Sequence, residues 1–330
     1  MIITLTVNPA IDLTVTLEEL LPGDANRVQA SRSDPGGKGI NVSRALLELG
    51  CESLAMGCVS GARGRFIEQS LRELGIYTDF LHTPGQTRTN ITILDRKHDT
   101  TTTLNEPGPE TDAHYVQSLL QRLKKQLKEG DWLVIGGSIP PGMTPHFYGE
   151  VITLASAMGV RCILDADGEP FMYGIAAKPY LVKPNRSEVA RLLGRIPRSK
   201  EPLLDAAEQI HDAGVEVVVL SQGIQGAIMV SNEGAWRAYA PAVPAISSVG
   251  SGDAMVAGLV QVLSQGGSLE KALSVGAAAG AAAALTSGTQ PCRQADVFRL
   301  LPRVQVHPLY HAPHRRQAPT LAGASSRARK

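Results

Sequence analysis

Ser248-Val249-Gly250-Ser251-Gly252-Asp253-Ala254-Met255-Val256-Ala257-Gly258-Leu259 is the stretch whose reading decides the fold. Small residues lead straight into an apolar helical pattern. The first four N–H groups of a helix have no intrahelical partner, and the dipole is positive there, so such a junction is an anion site. Gly250 and Gly252 let the backbone approach a phosphate closely. Asp253 falls in the first turn. There it reads either as an acid that compensates the helix dipole or, beside a phosphate cradle, as an acceptor for the proton of an attacking hydroxyl. The local pattern allows both.

Working outward, an apolar strand, Val215–Leu220, runs into the glycine-rich turn Ser221–Ala227. Turns at the C-terminal ends of strands are where α/β sheets bind ligands. Lys183-Pro184-Asn185-Arg186-Ser187-Glu188 also follows a strand. Asn185 and Glu188 share a helix face. They suit hydrated Mg²⁺ as oxygen ligands, or an N-terminal capping box, and the two readings are compatible. A second glycine-rich loop before a helix is Asp34-Pro35-Gly36-Gly37-Lys38-Gly39-Ile40-Asn41. It fits neither the Walker nor the dinucleotide-binding pattern. Lys38 could hold an anion and Asn41 a hydroxyl, or the segment is a turn with a surface lysine. Asp12 lies just past the first strand, and Arg88 precedes Thr89–Leu94.

Strands and helices alternate along most of the chain, which predicts parallel strands joined by helices. Strands are expected at Ile2–Val7, Ser53–Cys58, Trp132–Ile135, Arg161–Asp165 and Tyr180–Lys183. Helices are expected at Gly37–Leu49, Arg63–Leu74, Pro145–Ala157, Ser187–Leu193, Pro202–Ala213, Gly252–Leu263 and Leu269–Leu285. Thr89–Leu94 and Thr100–Leu104 break the alternation. With a piece near Asn26–Ser31 they read as a small β-sheet apart from the main layer, able to cover a cleft. The alternative is a hairpin at the edge of the main sheet.

The length of 330 residues allows two domains or one large α/β unit. Lys+Arg total 32 against Asp+Glu 31, which removes the electrostatic case for nucleic acid or an anionic membrane as partner. Cys51, Cys58, Cys162 and Cys292 form no CxxC pair and read as reduced thiols of a cytoplasmic protein. The start of the chain lacks the marks of a signal peptide. The longest apolar stretch, near Ala277–Leu285, is far short of the roughly 18 to 20 residues that a membrane span needs. Residues 305–330 hold Pro308, Pro313 and Pro319. They also carry Arg315, Arg316, Arg327, Arg329 and Lys330, with no acid. They read as a basic, disordered tail after a domain spanning residues 1–304.

The motifs together resemble the PfkB family of carbohydrate kinases, which has the ribokinase-like fold. The resemblance is carried, in order, by TLTVNPAIDLTV, PGGKGINVSRAL, QTRTNITI, GGSIPPG, ILDADGE, LVKPNRSEV, LSQGIQGA and SVGSGDAMVAGL. It implies a three-layer α/β/α core with a mostly parallel sheet and a β-sheet lid built from segments near 10–31 and 86–105. The pieces are most similar to the subgroup that acts on hexose phosphates. The implied reaction is phosphorylation of a ketohexose phosphate by MgATP, with fructose 1-phosphate the first choice and a ketohexose 6-phosphate the alternative. A non-catalytic sugar-phosphate sensor is a further reading, which the presence of Asp253 opposes.

By the same resemblance, Asp253 would be the base and the amides of Gly250, Ser251 and Gly252 the anion hole. Asp12, Gly36, Gly37, Asn41 and Ser138 would hold the sugar, with Lys38, Arg27 and Arg88 at its phosphate. Lys183, Asn185, Ser221, Gly223, Gly226 and Ser248 would line the ATP, and Asn185 and Glu188 would hold Mg²⁺ through water. A homodimer through the lid is implied as well. The chain departs from the family pattern where GAGDS reads GSGDA, and where SLGxxGA reads Ser221-Gln222-Gly223-Ile224-Gln225-Gly226-Ala227. The basic tail has no counterpart in the resemblance.

Overall fold

Ile2–Thr6 is buried at every position and Val217–Leu220 is apolar at consecutive positions instead of alternating, the mark of strands covered on both faces. The structure, a computed structural model, describes residues 1–194 and 201–311 and places both runs inside one large sheet. The chain opens with β1 (Ile2–Thr6), β2 (Ala10–Leu17) and β3 (Ala30–Gly36), then α1 (Lys38–Glu48), β4 (Leu54–Ser60), α2 (Gly61–Glu73) and β5 (Tyr77–Thr83). A hairpin of β6 (Arg88–Asp95) and β7 (Thr100–Asn105) follows. Alternation resumes with α3 (Ala113–Gln126), β8 (Trp132–Gly136), α4 (Phe147–Ala157), β9 (Arg161–Asp165), α5 (Gly168–Ala176), β10 (Leu181–Val182), α6 (Arg186–Leu192), α7 (Pro202–Asp212) and β11 (Val217–Ser221). The last part holds β12 (Ala227–Ser231), β13 (Gly234–Tyr239), α8 (Ser251–Ser264), α9 (Leu269–Ala283), α10 (Gln294–Leu300) and β14 (Gln305–His311).

The ten-stranded sheet runs β14-β13-β12-β11-β10-β9-β8-β1-β4-β5. The strands from β11 to β5 are parallel, and β12, β13 and β14 are added antiparallel. One face packs on α1, α8, α9 and α10, with Val42, Leu46, Leu259 and Leu273 buried between. The other packs on α3 to α7 through Leu119, Phe147, Phe171 and Ala206. This is the expected three-layer architecture. Among the described residues no helix is long and apolar enough to cross a membrane.

β3-β2-β6-β7 form a separate four-stranded sheet, not a hairpin on the main one. Its β2 and β6 are parallel, so their C-terminal ends leave the body together. The piece expected near Asn26–Ser31 starts later, at Ala30.

The tail expectation needs correcting at its start. Residues 305–311 are not disordered: they form β14 against β13 and extend the sheet beyond residue 304. Pro308, read as a sign of disorder, sits on an edge strand beside a register shift at Ala235/Trp236, where a missing N–H is tolerated. Residues 312–330, with all five cations of the tail, lie outside the described residues.

Candidate active site

Turns at the C-terminal ends of β1, β8, β9 and β11 meet the N-terminus of α8 under the lid and enclose a cavity of about 800 Å³. Gly250 caps α8 at φ +80°, a left-handed conformation that glycine adopts without strain. No side chain caps this helix, whereas Asp112 caps α3 and Asn185 caps α6. The α8 N-terminus therefore faces the cavity with its dipole uncompensated by a side-chain cap.

Asp253 stands in the first turn of α8, buried, and its Oδ2 accepts from Asn41 Nδ2 at 2.9 Å. Burial first, and then the Asp165 carboxylate, push its pKa up to about 6, against the pull of Lys38, Asn41 and Lys183. A carboxylate with that pKa can take a proton near neutral pH.

Asp165, at the end of β9, is the hub of the charged groups. Its Oδ1 accepts from Lys38 Nζ at 2.7 Å, and Lys183 Nζ is 3.2 Å from Oδ2. Burial alone would raise the Asp165 pKa, but Lys183 and Lys38 outweigh it and hold the group below its usual value. Burial would likewise lower Lys38, but Asp165, Asp253 and Glu188 hold its ammonium above the usual value. Lys183 Nζ also stands over the cradle, 3.2 Å from where a Cβ on Gly252 would be.

Asn185 and Glu188 form the complete capping box of α6. Asn185 Oδ1 accepts from the Ser187 and Glu188 amides at 2.9 and 3.0 Å, and Glu188 Oε2 accepts from the Asn185 amide at 2.8 Å. The box leaves Glu188 Oε1 unused. Burial, and then Asp165, raise the Glu188 pKa. Among the described residues no three His, Cys, Asp or Glu side chains are grouped to cage a metal. One spare carboxylate oxygen on a cavity wall fits a cation that keeps most of its waters, as Mg²⁺ does.

The lid end of the cavity is polar. Asn90 Nδ2 donates to Asp12 Oδ1 at 3.1 Å, and Asn8 Nδ2 donates to Ser138 Oγ at 3.2 Å. Burial raises the Asp12 pKa, against Asn90, Arg44 and Arg88. Arg88 donates to the carbonyls of Glu106 and Asn8 at 2.9 and 3.0 Å. Nine buried side-chain polar atoms lack a partner among the described residues. Six of them belong to residues that line this cavity: Asn8 Oδ1, Asn41 Oδ1, Arg88 Nε, Asn90 Oδ1, Ser251 Oγ and Thr289 Oγ1. Asp12, Asn41, Asn90 and Ser138 give this end of the cavity a polar lining, which suits a ligand rich in hydroxyl groups. The other end is lined by Ser221, Gly223, Gly226 and Ser248, and by an apolar wall of Ile224, Ala240, Pro241, Ala242, Val243 and Ala245.

The structure thus brings together Asp12, Gly37, Lys38, Asn41, Arg88, Ser138, Lys183, Asn185, Glu188, Ser221, Gly223, Gly226, Ser248, Gly250, Ser251, Gly252 and Asp253. Gly36 lies just outside, against the Asp12 carboxylate. Arg27 is not brought in: it is exposed between β2 and β3, away from the cavity of its own chain. Sequence reasoning gave no role to Asp165, Asn8, Asn90 or Thr289. For Asp165 there was a signal, an acid at the C-terminal end of a parallel strand. For Thr289 there was none.

A model of the pfkB family carbohydrate kinase matches residues 3–296. The 1-phosphofructokinase of Xanthomonas campestris pv. campestris is 38% identical over 79% of this chain and 83% of its own length. That of Bacillus subtilis is 34% identical over 93% of this chain and 99% of its own length. Among solved structures, phosphofructokinase-2 from Escherichia coli in complex with potassium superposes with a TM-score of 0.87, at 31% identity, covering 92% of this chain and 98% of that one. A tetrameric inhibited form of the same enzyme superposes with a TM-score of 0.86 at 30% identity, again covering 92% of this chain and 98% of that one.

Proposed function

We propose that this chain, which belongs to the PfkB family of carbohydrate kinases, moves the γ-phosphoryl group of MgATP to a hydroxyl of a ketohexose phosphate, fructose 1-phosphate first. The observation that carries the reading is the N-terminus of α8, with Asp253 in its first turn, opening onto one cavity that also holds Asp12, Lys38, Asn41 and Arg88. The polar lining of Asp12, Asn41, Asn90 and Ser138 suits the hydroxyl groups of a sugar. The relatives named 1-phosphofructokinase support the choice of sugar.

The apolar wall beside Gly223 and Gly226 takes the purine, which leaves the phosphates directed toward α8. Asp253 accepts the proton of the attacking hydroxyl. The amides of Gly250, Ser251 and Gly252, with Lys183 above them, stabilise charge on the transferred phosphoryl oxygens. Glu188 and Asn185 would hold Mg²⁺ through water, where the ion would neutralise charge on the nucleotide. Lys38 and Arg88 supply the cations for the sugar's own phosphate, and the lid excludes water. The reaction places the enzyme in the cytoplasm, with its nucleotide. The lid also supplies a dimer surface: β7 is exposed along its length, and Leu104 is 53% exposed. Sedimentation at micromolar concentration tests this, and a monomer overturns it.

The deciding assay couples ADP release to a chromogenic readout and compares fructose 1-phosphate, fructose 6-phosphate, tagatose 6-phosphate and fructose by kcat/KM. A preference of about 100-fold for fructose 1-phosphate, about 2.7 kcal/mol of discrimination, is expected. The same preference for a 6-phosphate replaces the substrate but keeps the mechanism. Turnover of free fructose alone overturns the assignment of Lys38 and Arg88.

A further inference from the structure

We propose that Arg44, which lies outside the cavity, is a positioning residue that fastens the 286–290 loop to the root of the lid and thereby holds Thr289 and Asp12 in the sugar end of the site. The proposal rests on the kinase reading above and deepens it.

Arg44 lies on α1 and is only 5% exposed, unusual for an arginine. Its Nη1 donates to Pro35 O at 3.0 Å and to Thr289 O at 2.9 Å. Its Nη2 donates to Asp34 Oδ1 at 3.3 Å. Asp34, in turn, accepts from Arg32 Nε at 2.8 Å and Arg32 Nη2 at 3.0 Å. Asp34 and Pro35 are the last turn of lid strand β3 before the body, and they face Asp12 and Ile11 of β2. One guanidinium therefore joins the lid root to a loop more than two hundred residues away in sequence.

That loop touches three parts of the site. Thr289 lines the cavity. Gly288 packs against the Thr14 hydroxyl of β2, so closely that a Cβ there would collide with it. The Gly288 carbonyl accepts from Ser247 Oγ at 3.3 Å, and Ser247 Oγ accepts from the Val249 amide, at 3.2 Å, just before the cradle. Inside the loop, Thr286 Oγ1 donates to Gln290 O at 2.9 Å. If Arg44 lets go, the loop loses its hydrogen bond to the lid root and keeps the packing of Gly288 on Thr14, while the nucleotide end, at Ser221–Gly226, keeps all its contacts. A lysine keeps the charge but has one nitrogen, so it cannot serve the two carbonyls and the Asp34 carboxylate from two separate nitrogens as Nη1 and Nη2 do.

The experiment compares Arg44→Lys, Arg44→Met and Gly288→Ala with the wild-type enzyme. KM for the sugar phosphate should rise about tenfold or more in Arg44→Met and by less in Arg44→Lys, with KM for ATP within about twofold. Gly288→Ala pushes on β2 from the same loop and should also raise KM for the sugar phosphate alone. Hydrogen exchange should quicken at 34–37 and 286–290 in both Arg44 variants and stay unchanged at 221–226. Equal rises in both KM values, full activity in Arg44→Met, or unchanged exchange overturns the proposal. If Arg44→Met does not fold, Arg44→Lys and Gly288→Ala decide it by the same measures. A wild-type enzyme that turns over no sugar phosphate overturns the kinase reading instead, and the exchange data still judge Arg44.

Discussion

Asp253→Asn should make the protein more stable at neutral pH while removing its activity. The Asp253 carboxyl has a pKa pushed from 3.8 up to about 6 by burial and by Asp165. Above pH 6 the folded protein must keep this group ionised where ionisation is disfavoured, at a cost of about 3 kcal/mol. Asparagine keeps the size and can still accept from Asn41, but carries no charge. The gain should appear as a rise of about 4 °C in melting temperature at pH 8 for a chain of this length. The sign with pH follows from a raised folded-state pKa. Wild type regains stability relative to the variant as pH falls through 6, and the gap closes below about pH 4, where Asp253 is protonated folded or unfolded. Without the base, kcat should drop by about 10² to 10⁴-fold, with ATP binding retained. Thermal melts from pH 4 to 8, with kcat from the coupled assay, test both parts. A variant less stable than wild type at pH 8, or a gap that does not close on acidification, refutes the electrostatic argument. Retention of more than about a tenth of kcat refutes the role of the base.

The acid limb of kcat/KM should follow one group with a pKa of about 6, activity falling below it, because Asp253 must be ionised to accept a proton. A profile flat down to pH 5 contradicts this. Lys38→Ala removes a cation that lowers the Asp253 pKa, so the limb should move to higher pH. KM for the sugar phosphate should also rise more than KM for ATP, and equal rises would remove Lys38 from the sugar end. Ending the chain after Val304 deletes β14 and exposes the β13 edge, so this truncation should melt lower and aggregate. Ending it after His311 should leave kcat unchanged, and the opposite order of effects would show that the tail matters more than the strand. Removing Mg²⁺ with a chelator should weaken ATP binding in titration calorimetry. Equal affinity with and without the metal would count against a cation at Glu188.

What could be read in the sequence was local. The α8 cradle needs only Gly250 to Asp253, within one helical turn of each other, and the apolar run that follows directly. The Asn185–Glu188 box is equally local, and both of its readings remain compatible with the structure. What could not be read was pairing across the chain. Lys38 reads locally as a cation for a phosphate or a surface lysine, and its ammonium is in addition paired with Asp165, 127 residues on. Arg88 likewise donates to two main-chain carbonyls that only the folded lid brings together. β14 was hidden for a related reason: the stretch after residue 304 carries three prolines, five cations and no acid, and only β13 supplies the reason for Gln305–His311 to be extended.

The charges explain why these pairings matter for the chemistry. Lys38 and Lys183 face Asp165, Asp253 and Glu188, so the buried cluster carries one more carboxylate than ammonium groups. The surplus is not shared evenly. Asp165 holds both lysines and is kept below the usual carboxylate pKa, while Asp253 and Glu188 are raised. Three carboxylates within one cavity are thereby separated into one committed anion and two groups poised to give up charge, one by taking a proton and the other by meeting a cation. A site arranged so, at the positive end of α8, suits an anionic nucleotide that arrives with its metal. It leaves Asp253 as the carboxylate whose Oδ2 is held by the Asn41 amide at the polar, hydroxyl-binding end.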